Sequence, residues 1–163
     1  MNKLYVLVGV PGSGKSTWVK SQLWANDCVI VSTDHFVENH ARDTGKTYSE
    51  VFQEYMPKAV ELMANQVVHA REQKKDIIWD QTSTTIATRA KKFRMLPDYY
   101  KIAVVFKTPP TPELQRRLAS RQGKNIPWEV VSNMAQQLEA EPPTKEEGFN
   151  EIWYTWLLPH FGV

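Results

Sequence analysis

The chain has 163 residues, 20 Lys and Arg against 18 Asp and Glu, a net charge of +2, a hydrophobic fraction of 42% and a charged fraction of 23%. That length suits one domain, residues 1–163, with a self-sufficient core, and the near balance of charge excludes a protein that coats nucleic acid by bulk charge. Cys28 is the only cysteine, which excludes an internal disulfide and a cysteine-rich zinc site, and its apolar neighbours suit a buried, unreactive thiol.

The first apolar run, residues 3–9, reads as a buried strand. It is too short for the core of a signal peptide, and no stretch approaches the ~20 apolar residues of a membrane span, so a cytoplasmic location is expected. The strand runs into Gly9-Val10-Pro11-Gly12-Ser13-Gly14-Lys15-Ser16, a complete G-x-x-x-x-G-K-[ST] motif between a strand and a helix over 16–24. The chemistry demands these residue types. Glycines let backbone N–H groups approach phosphate oxygens with no Cβ in the way, and the helix that follows presents its positive end to the anion. Lys15 reaches the outer phosphates, and the Ser16 hydroxyl offers Mg²⁺ a hard oxygen. The nucleotide contacts expected are Gly9, Pro11, Gly12, Ser13, Gly14, Lys15, Ser16 and Thr17, although helix capping explains Thr17 equally well.

A second strand over 28–32 leads to Ser32-Thr33-Asp34-His35. Asp34 at its carboxyl end can accept the proton of an attacking hydroxyl, or it can cap a helix. A long helix over 48–74 follows, with Val51, Tyr55, Val60, Met63 and Val67 as its apolar stripe. The third strand, 76–80, ends at Asp80-Gln81-Thr82, an acidic residue placed to hold a magnesium-bound water or buttress the phosphate site. In the next helix, 88–96, the run Arg89, Lys91, Lys92 and Arg94 reads as a solvated face from which Arg89 reaches the site.

The fourth strand, 101–107, precedes a helix over 113–122. Arg117 and Arg121 are four apart, so they share one helical face. Gly123 then permits a break before Pro127 restarts a helix at 128–139. Segment 116–127 therefore reads as a lid whose arginines meet phosphate oxygens. Residues 139–151 read as an acidic, solvated connection to a last strand over 151–156. Strands alternating with helices give an α/β, P-loop kinase-like three-layer sandwich: a five-stranded, mainly parallel sheet, helices on both faces and a short lid. Ligands bind such sheets at the carboxyl ends of the strands.

Gly9 to Trp18 resembles the P-loop of the phage and bacterial polynucleotide 5′-kinase family. The segments around Asp34, at Asp80-Gln81-Thr82, at Arg117-Leu118-Ala119-Ser120-Arg121-Gln122-Gly123 and at 143–152 resemble that family's base, third-strand turn, lid and final strand in the same order. The resemblance implies ATP and Mg²⁺ as cofactors, Lys15, Asp34, Arg117 and Arg121 as catalytic residues, Arg117 also on the nucleotide, and Ser16 and Asp80 toward the metal. Asp34, Asp80, Thr82 and, from the charge run of its helix, Arg89 are expected on the acceptor side. The expected acceptor is the 5′-hydroxyl of DNA or RNA, reached through a basic channel drawn from Arg42, Lys46 and the 89–94 cluster. The alternatives are another hydroxyl acceptor (a hydroxymethylated base in DNA, a nucleoside, a small metabolite) and, from another class, an ATP-binding regulatory module. Val37 and Glu38 stand where the phage enzyme carries an acceptor-binding arginine.

Overall fold

The computed structural model describes residues 1–158. Five parallel strands form one sheet in the order β2-β3-β1-β4-β5. They are β1 (Lys3–Val8), β2 (Val29–Val31), β3 (Ile77–Trp79), β4 (Tyr100–Val105) and β5 (Glu151–Tyr154). β1 lies at the centre, and its register (Leu4 beside Ile77, Val6 beside Trp79, Leu7 beside Val104) brings the strand ends together.

Alternation along the central strands builds two cores. Leu4, Val6, Val8, Ile77, Trp79, Ala103 and Val105 face one side, where they meet Met63, Val67 and Ala70 of α3 (Tyr48–Glu72) and Leu96 after α4 (Ile86–Met95). Tyr5, Leu7, Ile78, Ile102 and Val104 face the other, against Val19 of α1 (Lys15–Ser21) and Ala25 of a 3-10 turn (Leu23–Asp27). Trp18, Trp24 and Trp153 pack on this second core, with Tyr5 and Trp24 ring centroids 4.6 Å apart. Every strand of the inner three is buried on both faces, as a parallel sheet between helical layers requires.

The structure departs from the sequence reading in four places. A helix the pattern did not suggest, α2 (Thr33–Thr44), lies against α3 through Val37, Ala41, Val51 and Ala59. In α3 the buried stripe is Val51, Ala59, Met63, Val67 and Ala70, while Val60 is exposed; small alanines let α2 come close. The helix expected to reach residue 122 ends earlier, as α5 (Thr111–Ala119), so Arg117 and Arg121 do not share one helical face. The stretch before β5 is not simply solvated, because Phe149 and the Glu147 side chain are buried in it. The last helix is α6 (Trp128–Ala140). Among the described residues no helix is long and apolar enough to cross a membrane.

Candidate active site

The carboxyl ends of β1, β2 and β3 open into a single broad cleft of about 2120 Å³, walled on the far side by α3, α6 and residues 120–127. Its floor is the loop between β1 and α1. Gly12 and Gly14 take φ of 82° and 98°, backbone states that glycine adopts freely. A Cβ on Gly9 would lie 2.6 Å from Ser13 Oγ and 2.9 Å from Phe106 Cβ, so only glycine fits there. The loop is anchored from both sides: Gly9 N–H donates to the Thr82 carbonyl at 3.0 Å, and Val10 is buried among Leu114 and Val131. Ser16 and Thr17 open onto the same cleft.

Three observations test whether phosphate and magnesium suit this loop. The Ser13 hydroxyl is buried without a partner, a state that calls for a ligand or an ion. The ammonium of Lys15 donates to the Gly9 and Val10 carbonyls at 2.8 and 2.9 Å, curled over the loop where an anion would sit. Burial brings its pKa down to about 8, against the pull of Asp80 upward and with a further push down from Arg121. Among the described residues there is no group of three His, Cys, Asp or Glu that could hold a metal; a magnesium ion, which keeps waters and takes ligands from phosphates, needs no such group. The residues present therefore fit a phosphate-bearing nucleotide with magnesium, with Ser16 and Asp80 the protein groups that would attend the ion.

Asp34 sits in the first turn of α2, where the cap is Ser32, whose Oγ accepts from Asp34 N–H at 3.1 Å. The Asp34 carboxylate is thus free of capping duty and turns to the cleft. Its Oδ1 accepts from the Tyr48 hydroxyl at 2.7 Å and its Oδ2 from the Lys124 ammonium at 2.9 Å. Burial works to raise its pKa, but the Lys124 charge and the Tyr48 hydrogen bond outweigh it and hold the carboxyl below the ordinary range. Asp80 behaves in the opposite way: burial raises it, Lys15 opposes, and Asp34 adds to the rise. Environment therefore moves the two carboxyls apart, Asp34 downward and Asp80 upward.

Gln81 links the two strand ends, accepting from Trp79 Nε1 at 3.0 Å and donating to Thr33 Oγ1 at 3.2 Å. Thr82 lines the cleft and lends its carbonyl to the loop. Arg117 donates to the Gly12 carbonyl at 3.1 Å and to Glu113 at 2.8 Å, beside Pro11. Arg121 lines the cleft close enough to Lys15 and Asp34 to bias both. The structure thus gathers Lys15, Asp34, Asp80, Thr82, Arg117 and Arg121 at one opening.

Arg89 is the exception and corrects the sequence expectation. It is fully buried, bonded to both carboxylate oxygens of Glu147 and to the Ser83 and Glu141 carbonyls, and it does not line the cleft. Lys92 is buried as well, over the Trp79 ring. The 89–94 cluster is therefore partly interior, and Arg42, Lys46, Lys91 and Arg94 do not line the cleft; its cations are Lys15, Lys20, Lys107, Arg117, Arg121 and Lys124. Sequence reasoning passed over Tyr48, Gln81 and Lys124. Only Lys124 carried a signal, a cation directly after the hinge glycine.

Solved structures share this architecture. A chain of the Pnkp1/Rnl/Hen1 RNA repair complex is 25% identical with a TM-score of 0.69, over 90% of this chain and 46% of that one. This chain thus spans less than half the length of that relative. A kinase candidate from Chloroflexus aurantiacus (14% identity, TM-score 0.68, 98% and 90% covered) and the shikimate kinase of Bacteroides thetaiotaomicron (20%, 0.54, 93% and 86%) share the fold. Residues 4–141 match the family described as AAA domain, and the chain belongs to that family, built on the P-loop kinase fold.

Proposed function

We propose that the protein is an ATP- and Mg²⁺-dependent phosphotransferase whose acceptor is a hydroxyl group, most readily the 5′-hydroxyl of DNA or RNA. One observation carries the reading: an ionised carboxylate, Asp34, faces the same opening as the Lys15 ammonium and the phosphate-shaped loop. Bound MgATP supplies the phosphoryl group and the metal charge that offsets its oxygens. Lys15 exchanges its two loop carbonyls for phosphate oxygens, and Arg121 adds positive charge where charge accumulates. The acceptor hydroxyl gives its proton to Asp34 as the new O–P bond forms and the bond to the β-phosphate oxygen breaks, releasing ADP. A cleft of about 2120 Å³ exceeds the ~300–1,000 Å³ of a single small-molecule site, so a nucleotide and an acceptor fit together. The likeness to a chain of an RNA repair complex supports a nucleic-acid end.

A second acceptor class has its own support. The wall beyond Asp34 includes Tyr48, Phe52, Met56, Ile126, Val130 and Met134, and the cations expected from Arg42, Lys46 and the 89–94 cluster do not line it. That wall suits an uncharged acceptor, such as a nucleoside or a hydroxymethylated base, better than a phosphate-tracking groove. γ-Labelled ATP with Mg²⁺ and a panel of 5′-hydroxyl oligonucleotides, nucleosides, hydroxymethylated DNA and small polyols separates the readings. Label on oligonucleotide ends supports the first, label on uncharged acceptors the second, and no transfer beside tight ATP binding overturns both. Lys15→Ala is expected to abolish transfer. Asp34→Asn is expected to lower kcat by ~10²- to 10⁴-fold while the KM for ATP stays near its original value; full retention of kcat removes Asp34 from the base role.

A further inference from the structure

Residues 120–127 cross the cleft between α5 and α6, and they are fastened on the far side by a set of contacts that the reaction as described does not use. The Lys124 ammonium, whose side chain is only 15% exposed, lies 2.9 Å from Asp34 Oδ2, 3.5 Å from Glu38 Oε1 and 4.4 Å from the centre of the Tyr48 ring. On either side of it the backbone is pinned to the start of α3: Ser49 N–H donates to the Gly123 carbonyl at 3.0 Å, and Asn125 N–H donates to Ser49 Oγ at 2.8 Å. Gly123 takes φ of 69° and is packed so tightly that a Cβ would meet Thr47 Cβ at 3.0 Å. Three residues before Lys124, Arg121 reaches the Lys15 side of the same opening. One short strap therefore lines the cleft with Arg121, near enough to Lys15 to bias it, and bonds the carboxylate with Lys124.

We infer that Lys124 is a positioning residue: its ammonium docks the 120–127 strap onto Asp34 and fixes that carboxylate, between Lys124 and Tyr48, in the orientation from which it receives the acceptor's proton. The geometry leaves room for this. An ionised carboxylate has about four lone-pair sites, and Tyr48 and Lys124 take one on each oxygen, so a hydroxyl can still donate to Asp34 without breaking either bond. A buried ammonium on a cation–π face with one strong and one weak carboxylate partner is costly to displace, so the strap stays seated while the acceptor arrives. In this arrangement Lys124 acts through Asp34, the carboxylate it bonds.

The inference rests on the phosphotransferase reading, and two measurements keep their failures apart. In the full chain, with whichever acceptor the panel identifies, Lys124→Met is expected to lower kcat by ~10- to 100-fold, an orienting effect smaller than loss of the base itself, with the KM for ATP changed less than threefold. Lys124→Arg, which keeps the charge, is expected to recover most of that loss. In an Asp34→Asn background the Lys124→Met change is expected to cost little more, because residues acting through one group are not additive. A merely structural lysine would cost the same in both backgrounds. Independently of any activity, hydrogen exchange at the Ser49 and Asn125 amides is expected to quicken in Lys124→Met and remain slow in Lys124→Arg. An unchanged kcat in Lys124→Met, an equal loss in the Asp34→Asn background, or unaltered exchange at both amides would overturn the inference. If the wild type transfers phosphate to nothing while exchange still responds, the phosphotransferase reading fails and the positioning role falls with it, leaving only the docking contact.

Discussion

A lysine with almost no exposed surface is unusual, because a charged ammonium loses its hydration on burial. Lys92 is 6% exposed, lies 5.3 Å from the centre of the Trp79 ring and has its pKa brought down to about 8, chiefly by burial and then by Arg89 and Lys91. Folded, it releases its proton near pH 8; unfolded, near its ordinary 10.5. Between those values the unfolded chain binds more protons, so this residue makes stability rise with pH, and below pH 8 the cost of the buried charge is present in full. Cys28 and Tyr5, pushed up to about 11 and about 12 by burial, act in the opposite sense above about pH 9. The difference between the parent and Lys92→Met therefore isolates the lysine. Lys92→Met is expected to be more stable than the parent at pH 7, with the advantage fading by about pH 10.5 in denaturant titrations at fixed salt. At Gly9, where a Cβ has no room, Gly9→Ala is expected to cost about 1–3 kcal/mol as an overpacked site, read as a fall in denaturation midpoint.

At the level of elements, α3 carries Pro57 in its interior at an exposed position. Proline there removes one i→i−4 hydrogen bond, from position 57 to the Gln53 carbonyl, and Gln53 lines the cleft. Pro57→Ala is expected to stabilise the protein by about 1–3 kcal/mol, measured as a rise in Tm; a fall would show that the break in the ladder is needed for the packing of α2 on α3. The same pair of helices shows where sequence reading stops. The inner three strands carry apolar runs, and those runs are legible because both faces are buried. α2 has only Val37 and Ala41 as buried apolar residues, with Thr33 beside them, too few for a periodic pattern. Its ends carry caps, Ser32 at the start and Gly45 at φ 69°, but the sequence reading set the possible cap at Asp34 and drew no helix from it. The α3 seam was misread because alanines, not the larger Val60, form the close contact, and periodicity weights large apolar residues.

For the molecule as a whole, the phosphate loop could be located from the sequence because its backbone requirements dictate residue types at fixed spacing. The convergence of Lys15, Asp34 and Asp80 followed from the rule that parallel strands end on one side of the sheet. What pattern could not supply was charge pairing across long separations. Lys124 meets Asp34 across ninety positions of chain, and Glu147 meets Arg89 across fifty-eight. Neither spacing has a period, and a basic run looks the same whether its members are solvated or interior. Glu147→Ala leaves the Arg89 guanidinium buried without its charge partner and is expected to cost about 3–5 kcal/mol, checked as a drop in the urea midpoint.

That ion pair also separates the boundary of the family from the boundary of the folding unit. The match to the AAA domain family ends at residue 141, yet Glu147, Phe149 and β5 lie beyond it. A polypeptide trimmed at 141 would lose the carboxylate that neutralises Arg89, the aromatic ring that closes the core beneath Phe93, and one edge of the sheet, so β4 would become an exposed edge open to pairing with other chains. Such a fragment is expected to aggregate. The seventeen described residues after the family boundary thus belong to the same folding unit as the phosphate loop.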